Sequence, residues 1–128
     1  MKADDLDACD MLHQRIHGVS RRHELADAIA MFQPWVVRRA GRIRGYTAAP
    51  TLWYANHGIA ETEDDMIALL AGVAAKVEEP IALLAPIRQS GLFRWCLAEG
   101  LRAVKPMNLM AMGAYHEPQG CYFPSVMY

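Results

Sequence analysis

Two histidines stand four residues apart near the start of the chain, and this spacing could serve metal chemistry. His13 and His17 would lie on one face of a helix, where both imidazoles could ligate zinc. Residue 14 is glutamine, whereas zinc proteases with the H-E-x-x-H motif have glutamate there, and no third ligand is evident. We therefore interpret the pair as packing and capping residues and expect no metal.

Four arginines cluster around a short turn and could contact an anion. They are Arg38, Arg39, Arg42 and Arg44. A small anion patch or a weak nucleic-acid surface is conceivable, but the whole chain has a formal net charge of −1. A solvated hairpin face is the simpler interpretation.

Three cysteines complete the set of reactive side chains. Cys9, Cys96 and Cys121 have no C-x-x-C spacing, so we expect reduced, buried thiols. The acidic N-terminus has no apolar signal segment, and a cytoplasmic location is expected. With 128 residues and 53% hydrophobic content, the chain is expected to form one domain over residues 1–128.

Helical signals predict four of the elements that must position these residues. Apolar periodicity predicts helices from Asp5 to His17 and from Arg21 to about Met31. Thr62 and Asp65 resemble a capping box that starts a third helix. A fourth helix covers the apolar run 92–97 and stops at Gly100, which accepts a left-handed backbone.

Strand signals fill the remaining stretches. Ala40-Gly41 is typical of a hairpin turn between strands 35–39 and 42–47. Further strands are predicted over Thr51–Ile59 and over Ile81–Ala85, the latter buried and parallel to a neighbour. Asn108–Ala114 and Cys121–Met127 are expected to form a closing hairpin. The predicted order is α-α-β-β-β-α-β-α-β-β, an α/β (α+β) fold with a mixed, mostly antiparallel sheet flanked by helices.

Several stretches resemble a known superfamily. They are HGVSRRHEL (17–25), GRIRGY (41–46), LFRWCLAEGLRAVKPMNLMAMGAYHEPQG (92–120) and FPSVMY (123–128). Together they resemble the C-terminal domain of bacterial two-domain GNAT (GCN5-related N-acetyltransferase) proteins. The resemblance implies the GNAT fold without its first strand, and an N-terminal GNAT domain as the expected holder of acetyl-CoA.

The chemical motifs of the family are only partly present. GNAT enzymes bind the pyrophosphate of acetyl-CoA on a glycine-rich loop at the start of the central helix. Here residues 58–65 read GIAETEDD, without the glycine pair and with carboxylates at the positive helix end. The resemblance also places Cys96 near the tyrosine that protonates the leaving thiolate, and a buried thiol is inert there.

A set of polar residues is implied to surround the cleft of a GNAT fold. They are Tyr54, Asn56, His57, Arg94, Tyr115 and His116. Such a set could bind a small polar ligand. Half-buried structural residues are the alternative interpretation.

Three functions remain open from the sequence. The leading hypothesis is a GNAT-like domain with a degenerate acetyl-CoA motif that serves ligand binding or assembly. The alternatives are an active N-acetyltransferase that moves an acetyl group from acetyl-CoA to a small amine, and a regulatory or nucleic-acid-binding module. A homodimer, or an N-terminal GNAT domain in trans, is the expected partner, because a lone second domain must cover its apolar surface.

Overall fold

The computed structural model describes residues 1–127, and these form a mixed α+β fold. The last residue of the FPSVMY motif, Tyr128, lies outside the described residues. A 3₁₀ turn, Ala3–Asp5, leads into the first helix. The helices are α1 (Leu6–His17), α2 (Arg22–Met31), α3 (Glu63–Ala74) and α4 (Ser90–Ala98), and the strands are β1 (Trp35–Arg39), β2 (Arg42–Thr47), β3 (Gly58–Ala60) and β4 (Cys121–Phe123).

The predictions of the helices and of the first hairpin are confirmed to within a residue or two. Ala40 and Gly41 both have positive φ, 48° and 76°, as the two-residue turn between β1 and β2 requires. At the end of α4, Gly100 has φ 89° and its N–H donates to Leu97 O at 3.1 Å. The Leu101 N–H reaches back to Cys96 O at 3.0 Å, which completes a Schellman motif.

The sheet has the order β1-β2-β3-β4, and every pair in it is antiparallel. The predicted parallel crossover is therefore wrong. Residues 81–85 form no strand; the Ala82 N–H donates to Pro50 O at 3.1 Å as part of an irregular loop. The edge of β3 that a parallel neighbour would have used is taken by β4, where Ile59 faces Tyr122.

The predicted strand over residues 51–59 is mostly wrong, because a buried asparagine organises this stretch as a loop. The Asn56 Oδ1 accepts from the Thr47 hydroxyl at 2.6 Å and from the Ala49 N–H at 3.2 Å. Its Nδ2 donates to Ala82 O at 2.9 Å. These bonds hold a turn, and only Gly58–Ala60 pairs as a strand.

The predicted closing hairpin is also wrong. Residues 108–114 are irregular and exposed, and β4 pairs with β3 instead of with this segment. Met110 and Met112 have relative exposures of 87% and 101%. Strand propensity alone does not order a segment whose apolar side chains are largely exposed.

Two apolar layers lie on the two faces of the sheet. Neighbouring residues of β3 alternate between them: Ile59 packs with α1 and α2, while Ala60 packs with α3 and α4. In β4, Tyr122 joins the α1–α2 layer and Phe123 joins the other. The sheet is thus a middle layer between two helix pairs, and β3 and β4 serve both cores.

Among residues 1–127, no helix combines the length and apolarity that a bilayer crossing requires. All three cysteines are free and buried, as expected from the sequence. Burial raises the pKa of Cys9 and of Cys121 to about 12. The same cause raises the pKa of Cys96, so all three thiols are protonated core residues.

Candidate functional site

A cavity of about 180 Å³ opens between α1, the start of β3 and the C-terminal segment. We call it the histidine cavity. Its lining residues are His13, His17, Arg21, His57, Gly58, Ile59, Leu109, Tyr115, His116, Pro118, Tyr122, Phe123, Pro124 and Ser125. The loop before β3 and residues 109–125 therefore meet over the C-terminal half of α1.

The structure brings three of the six predicted site residues together. His57, Tyr115 and His116 line the histidine cavity. The other three, Tyr54, Asn56 and Arg94, do not line it, and their surroundings explain why.

Tyr54 and Asn56 belong to the loop before β3 and have structural contacts. Tyr54 is 42% exposed, and its backbone carbonyl accepts from the N–H groups of Val126 and Met127 at 3.0 and 3.1 Å. The Asn56 amide is used by the loop bonds described above. Arg94 is exposed on α4, whose apolar side packs on the opposite face of the sheet.

Three imidazoles from two elements form the inner wall of the cavity. His13 and His17 stack on α1 with ring centroids 4.5 Å apart, as their four-residue spacing allows. His57 meets the His13 ring edge-on at 6.1 Å, and Tyr122 meets the His17 ring edge-on at 5.4 Å. The described residues contain no group of three or more His, Cys, Asp or Glu side chains placed to hold a metal ion.

His13 carries a hydrogen-bonding group that faces the cavity. Its Nδ1 lies 2.7 Å from the Tyr46 hydroxyl, and its ring is 1% exposed. Burial raises the pKa of Tyr46 well above its ordinary value, so the phenol keeps its proton. A phenol donates and a neutral imidazole nitrogen accepts, which leaves the proton of His13 on Nε2. Nε2 has no hydrogen-bond partner among the described residues.

Burial keeps the histidines of the inner wall neutral. It lowers the pKa of His13 to about 3, with further lowering by the nearby His17 and Arg21. It also lowers the pKa of His57 to about 3, and the charge of Arg21 is the next contribution. The pKa of His17 is lowered by the same two causes. The imidazoles therefore act as neutral hydrogen-bonding groups near pH 7.

Arg21 brings the permanent positive charge to this wall, and a buried carboxylate fixes its backbone. Asp10 accepts from the Arg21 N–H at 2.7 Å, from the Ser20 hydroxyl at 2.9 Å and from the Gln14 amide at 2.8 Å. Burial alone would raise the pKa of Asp10, but these hydrogen bonds outweigh it and lower the pKa. Asp10 thereby sets the elbow between α1 and α2 that places Arg21 beside the cavity.

The sequence did not single out Asp10, Arg21 or Ser125. A buried aspartate is recognisable only once its three donors are in place, and Arg21 was assigned simply to the start of a helix. The informative signal was the adjoining pair Ser20-Arg21 at an elbow that follows two histidines on α1.

A second polar group supports the outer rim of the cavity. The Tyr122 hydroxyl donates to Glu117 Oε1 at 2.7 Å, and Arg88 approaches the same oxygen at 2.6 Å. The Arg88 guanidinium also lies 6.0 Å from the centre of the Tyr122 ring. Burial, followed by the bond to Glu117, raises the pKa of Tyr122, so this phenol also stays protonated.

The start of α3 is filled by side chains of the protein itself. The Thr62 hydroxyl accepts from the Asp65 N–H at 3.1 Å, as the predicted cap requires. Asp65 is 2% exposed and pairs with Arg39 and Arg44. Burial opposes ionisation of Asp65, but the bonds from Arg39, Thr62 and Arg44 lower its pKa.

The arginines of the β1–β2 hairpin are engaged with carboxylates. Glu61 accepts from Arg15, Arg42 and Arg44 at 2.5 to 2.6 Å. Arg38 pairs with Asp5. Glu61 before α3 and Asp65 in its first turn are therefore the counter-charges of Arg39, Arg42 and Arg44.

Comparisons with known proteins assign no family to the chain, so a function has to be argued from the geometry of the site. No protein-family model, curated protein or solved structure matches the chain. The histidine cavity is consequently the feature from which a function is argued.

Proposed function

We propose that this chain is a GNAT-like domain that binds a small polar ligand in the histidine cavity and does not transfer acetyl groups on its own. The observation that carries the proposal is the wall of buried imidazoles beside Arg21. Buried polar side chains that converge on a cavity are typical of ligand sites.

The size of the cavity supports a small ligand. About 180 Å³ lies below the roughly 300–1,000 Å³ of pockets for drug-sized molecules. Acetyl-CoA, with its nucleotide and long pantetheine arm, is larger than such molecules. The cavity suits a small metabolite.

The start of α3 supports the absence of independent acetyl transfer. A pyrophosphate held by this helix would need its free N–H groups and its positive dipole end. Thr62 and Asp65 already occupy that end, and Glu63 and Asp64 add two further acidic side chains to the first turn. Glu63 also lies so close to α4 that a Cβ on Gly91 would stand 2.1 Å from its Oε2.

The active N-acetyltransferase is the rival function, and acetyl-CoA titration separates the two. We expect calorimetry to give no heat of binding at millimolar acetyl-CoA. A dissociation constant tighter than about 100 µM, which corresponds to more than about 5 kcal/mol of binding free energy, would overturn the non-catalytic proposal.

Ligand binding itself is tested by a thermal-shift screen of small polar metabolites. At least one compound should raise the melting temperature of the wild-type chain and have a reduced effect on His17→Leu. His17 is the histidine of the inner wall that is half-exposed, so leucine can replace it with little loss of stability. His23→Leu is the matched control, because His23 is exposed on α2 and does not line the cavity. A screen in which no compound shifts the wild type contradicts the proposal.

Assembly is the second part of the proposal, and it is supported by the exposed C-terminal segment. Val104, Met110 and Met112 have relative exposures of 92%, 87% and 101%. Apolar exposure of this kind favours association. We propose a second copy of the chain as the partner. Light scattering after size exclusion should give the dimer mass; a monomer mass that becomes a complex only with an N-terminal GNAT domain would overturn self-association.

A further inference from the structure

Three methionines lie close together in the exposed C-terminal segment. Met107, Met110 and Met112 occupy three of six consecutive positions, in the order M-N-L-M-A-M. Met107 is half-exposed, and the other two are almost fully exposed. Methionine usually fills gaps in a core, as Met66 does here with an exposure of 0%. Three thioether sulfurs on a short stretch of chain are therefore open to an ion that binds sulfur.

The backbone around these methionines is a loop that contacts the body of the protein on both sides. Leu109 and Tyr115 both line the histidine cavity, so the chain leaves the cavity after residue 109 and returns to it at residue 115. Before the loop, the Lys105 ammonium lies 5.6 Å from the centre of the Trp53 ring. Gly113 has φ 86°, a left-handed conformation that glycine adopts readily. The loop thus presents the sulfurs without packing them in a core.

The spacing of the three residues allows their sulfurs to reach one ion. The Cα atoms of Met110 and Met112 can be at most about 7 Å apart, and those of Met107 and Met110 at most about 11 Å. Each side chain is unbranched and has three rotatable bonds, so its sulfur can adapt to a metal. Ala111 between the last two methionines is too small to obstruct them.

The type of ligand selects the type of metal. Thioether sulfur is soft and uncharged, and among biological metals it suits Cu(I), whereas zinc, calcium and magnesium prefer other ligands. In the described part of the chain, no group of three His, Cys, Asp or Glu side chains is placed to hold one of those metals. The three cysteines are buried in the cores, away from the exposed loop.

We infer that Met107, Met110 and Met112 bind one Cu(I) ion through their three sulfurs. Each sulfur donates a lone pair and keeps its methyl group, so the metal arrives and stays as Cu(I). The site goes beyond the proposed function and does not depend on it, because it uses the exposed loop and not the imidazoles of the histidine cavity.

The test is a titration of the full chain with Ag(I), which has the charge and the ligand preference of Cu(I) and is not oxidised in air. The methionines carry ¹³C in their ε-methyl groups, and NMR follows each methyl signal. We expect the signals of Met107, Met110 and Met112 to shift together and to saturate at one ion per chain. The signals of Met11 and Met31, which are exposed singly on α1 and α2, should stay in place.

Matched leucine variants separate the sulfur from the apolar side chain. Met110→Leu keeps the size and removes one of three ligands, so it should weaken Ag(I) binding by at least about tenfold. Met31→Leu should leave the affinity within about twofold. Both side chains are exposed, and neither change should affect folding. Thioethers bind no proton near neutral pH, so the affinity should be the same at pH 7 and at pH 5.

Three results would overturn the inference. An affinity that falls between pH 7 and pH 5, with shifts of the imidazole signals, would assign the metal to histidines. Saturation at one ion per two chains would assign it to a bridge between copies. Unfolding by silver before the three methyl signals move would place the metal on the cysteine thiols. None of these results affects the thermal-shift screen, so failure of this site and failure of the proposed function are distinguishable.

Discussion

His13 and His57 are buried and His17 is half-buried, all three as neutral rings, and this protonation state ties the stability of the fold to pH. In the unfolded chain each of these imidazoles has a pKa near 6.5. In the folded chain the pKa of each is lower, so the ring is harder to protonate. The groups that face them are Arg21, which opposes protonation, and Asp10, which favours it at His13. Below the unfolded pKa the unfolded state therefore binds more protons, and stability falls as the pH falls.

The first prediction is a loss of stability on acidification that begins near pH 6.5. Between about pH 6.5 and 5, above the range in which most carboxylates titrate, the free energy of unfolding should fall by up to about 1.4 kcal/mol per pH unit for each histidine of the inner wall. Urea unfolding at several pH values measures the slope. His17→Leu should reduce this slope; a free energy of unfolding that stays constant from pH 7 to 5 contradicts the neutral rings.

The second prediction concerns Thr62, the cap of α3. Thr62→Ala removes the acceptor of the Asp65 N–H and should lower the free energy of unfolding by about 1 kcal/mol. Thr62→Ser keeps the hydroxyl and should cost no more than a few tenths of a kcal/mol. Chemical denaturation of the three proteins gives the comparison. Equal losses for alanine and serine would mean that the methyl group, and not the cap, is responsible.

Single residues were predictable where their signal is local. Thr62 and Asp65 were recognised because the two residues of a capping pair lie only three positions apart. The pairing of Asp65 with Arg39 and Arg44 was not, since it depends on how α3 lies across the hairpin. His57 was singled out through a family resemblance, whereas Arg21 required the α1–α2 elbow to be known. A residue whose role depends on the contact between two elements cannot be recognised from the periodicity of either one.

At the level of elements, the side chain of Gln89 makes the hydrogen bonds to β4 that the backbone of a fifth strand would otherwise make. Its Oε1 accepts from the Tyr122 N–H at 3.1 Å and its Nε2 donates to Tyr122 O at 2.6 Å. The same oxygen accepts from the Cys121 thiol at 2.6 Å. One side-chain amide therefore satisfies the backbone of the last strand on the side where the sheet ends.

The third prediction tests these hydrogen bonds of Gln89. Gln89→Ala leaves the N–H and the carbonyl of Tyr122 without partners and should lower the free energy of unfolding by about 1–3 kcal/mol. Gln119→Ala is the matched control: its side chain is exposed and makes one bond, to Glu117 O, so its loss should stay within about 0.5 kcal/mol. Comparable losses for the two variants would show that water satisfies Tyr122 as well as Gln89 does.

The fourth prediction concerns two glycines in different elements. A Cβ on Gly58 in β3 would stand 2.4 Å from the Phe123 ring and 2.9 Å from Tyr46 O, so Gly58→Ala must separate the strands and destabilise the fold. Gly72 in α3 has nothing within 4 Å of such a Cβ. Gly72→Ala should stabilise the protein by about 0.5–1 kcal/mol through helix propensity. Melting temperatures that move in the same direction for both variants contradict these positions.

Helices and the first hairpin followed from the sequence, while most later strands did not. Helix periodicity and caps are local, and so is the Ala40-Gly41 turn. The strand expected over residues 51–59 gave way to a loop because Asn56 bonds to residues far along the chain. The apolar run 81–85 pairs with no strand and lies in an irregular loop. Strand pairing is decided by which distant segment arrives at an edge, and the pattern of one segment does not contain that information.

At the scale of the whole molecule, order is unevenly distributed. Residues 1–100 and β4 are built around the two apolar layers, whereas residues 102–115 are exposed and irregular. The strand-like pattern of residues 108–114 and 121–127 predicted a closing hairpin in this part of the chain, and the structure instead brings β4 directly to β3. The mixed α+β class was predictable, since it needs only the types of elements; their succession in the sheet was not.

The fifth prediction follows from this uneven order. Limited digestion with subtilisin should cut first within residues 102–115, where the backbone lacks regular hydrogen bonds. The loop at residues 49–56 should resist, because Asn56 and the buried Ala49 and Ala55 hold it. Mass spectrometry of the first fragments locates the cut. An early cut at residues 49–56 would contradict the ordered loop.

The pairing of β3 with β4 has a kinetic consequence. β1, β2, β3 and α3 form one nearly continuous stretch of chain, so their contacts close short loops. β4 reaches β3 from about sixty residues further along, and pairing across such a separation is slow to form. We expect β1, β2 and β3 to pair first, which leaves the edge of β3 that β4 later occupies unpaired. The final strand, β4, would then add its side chains to both cores and, in the same step, complete the histidine cavity.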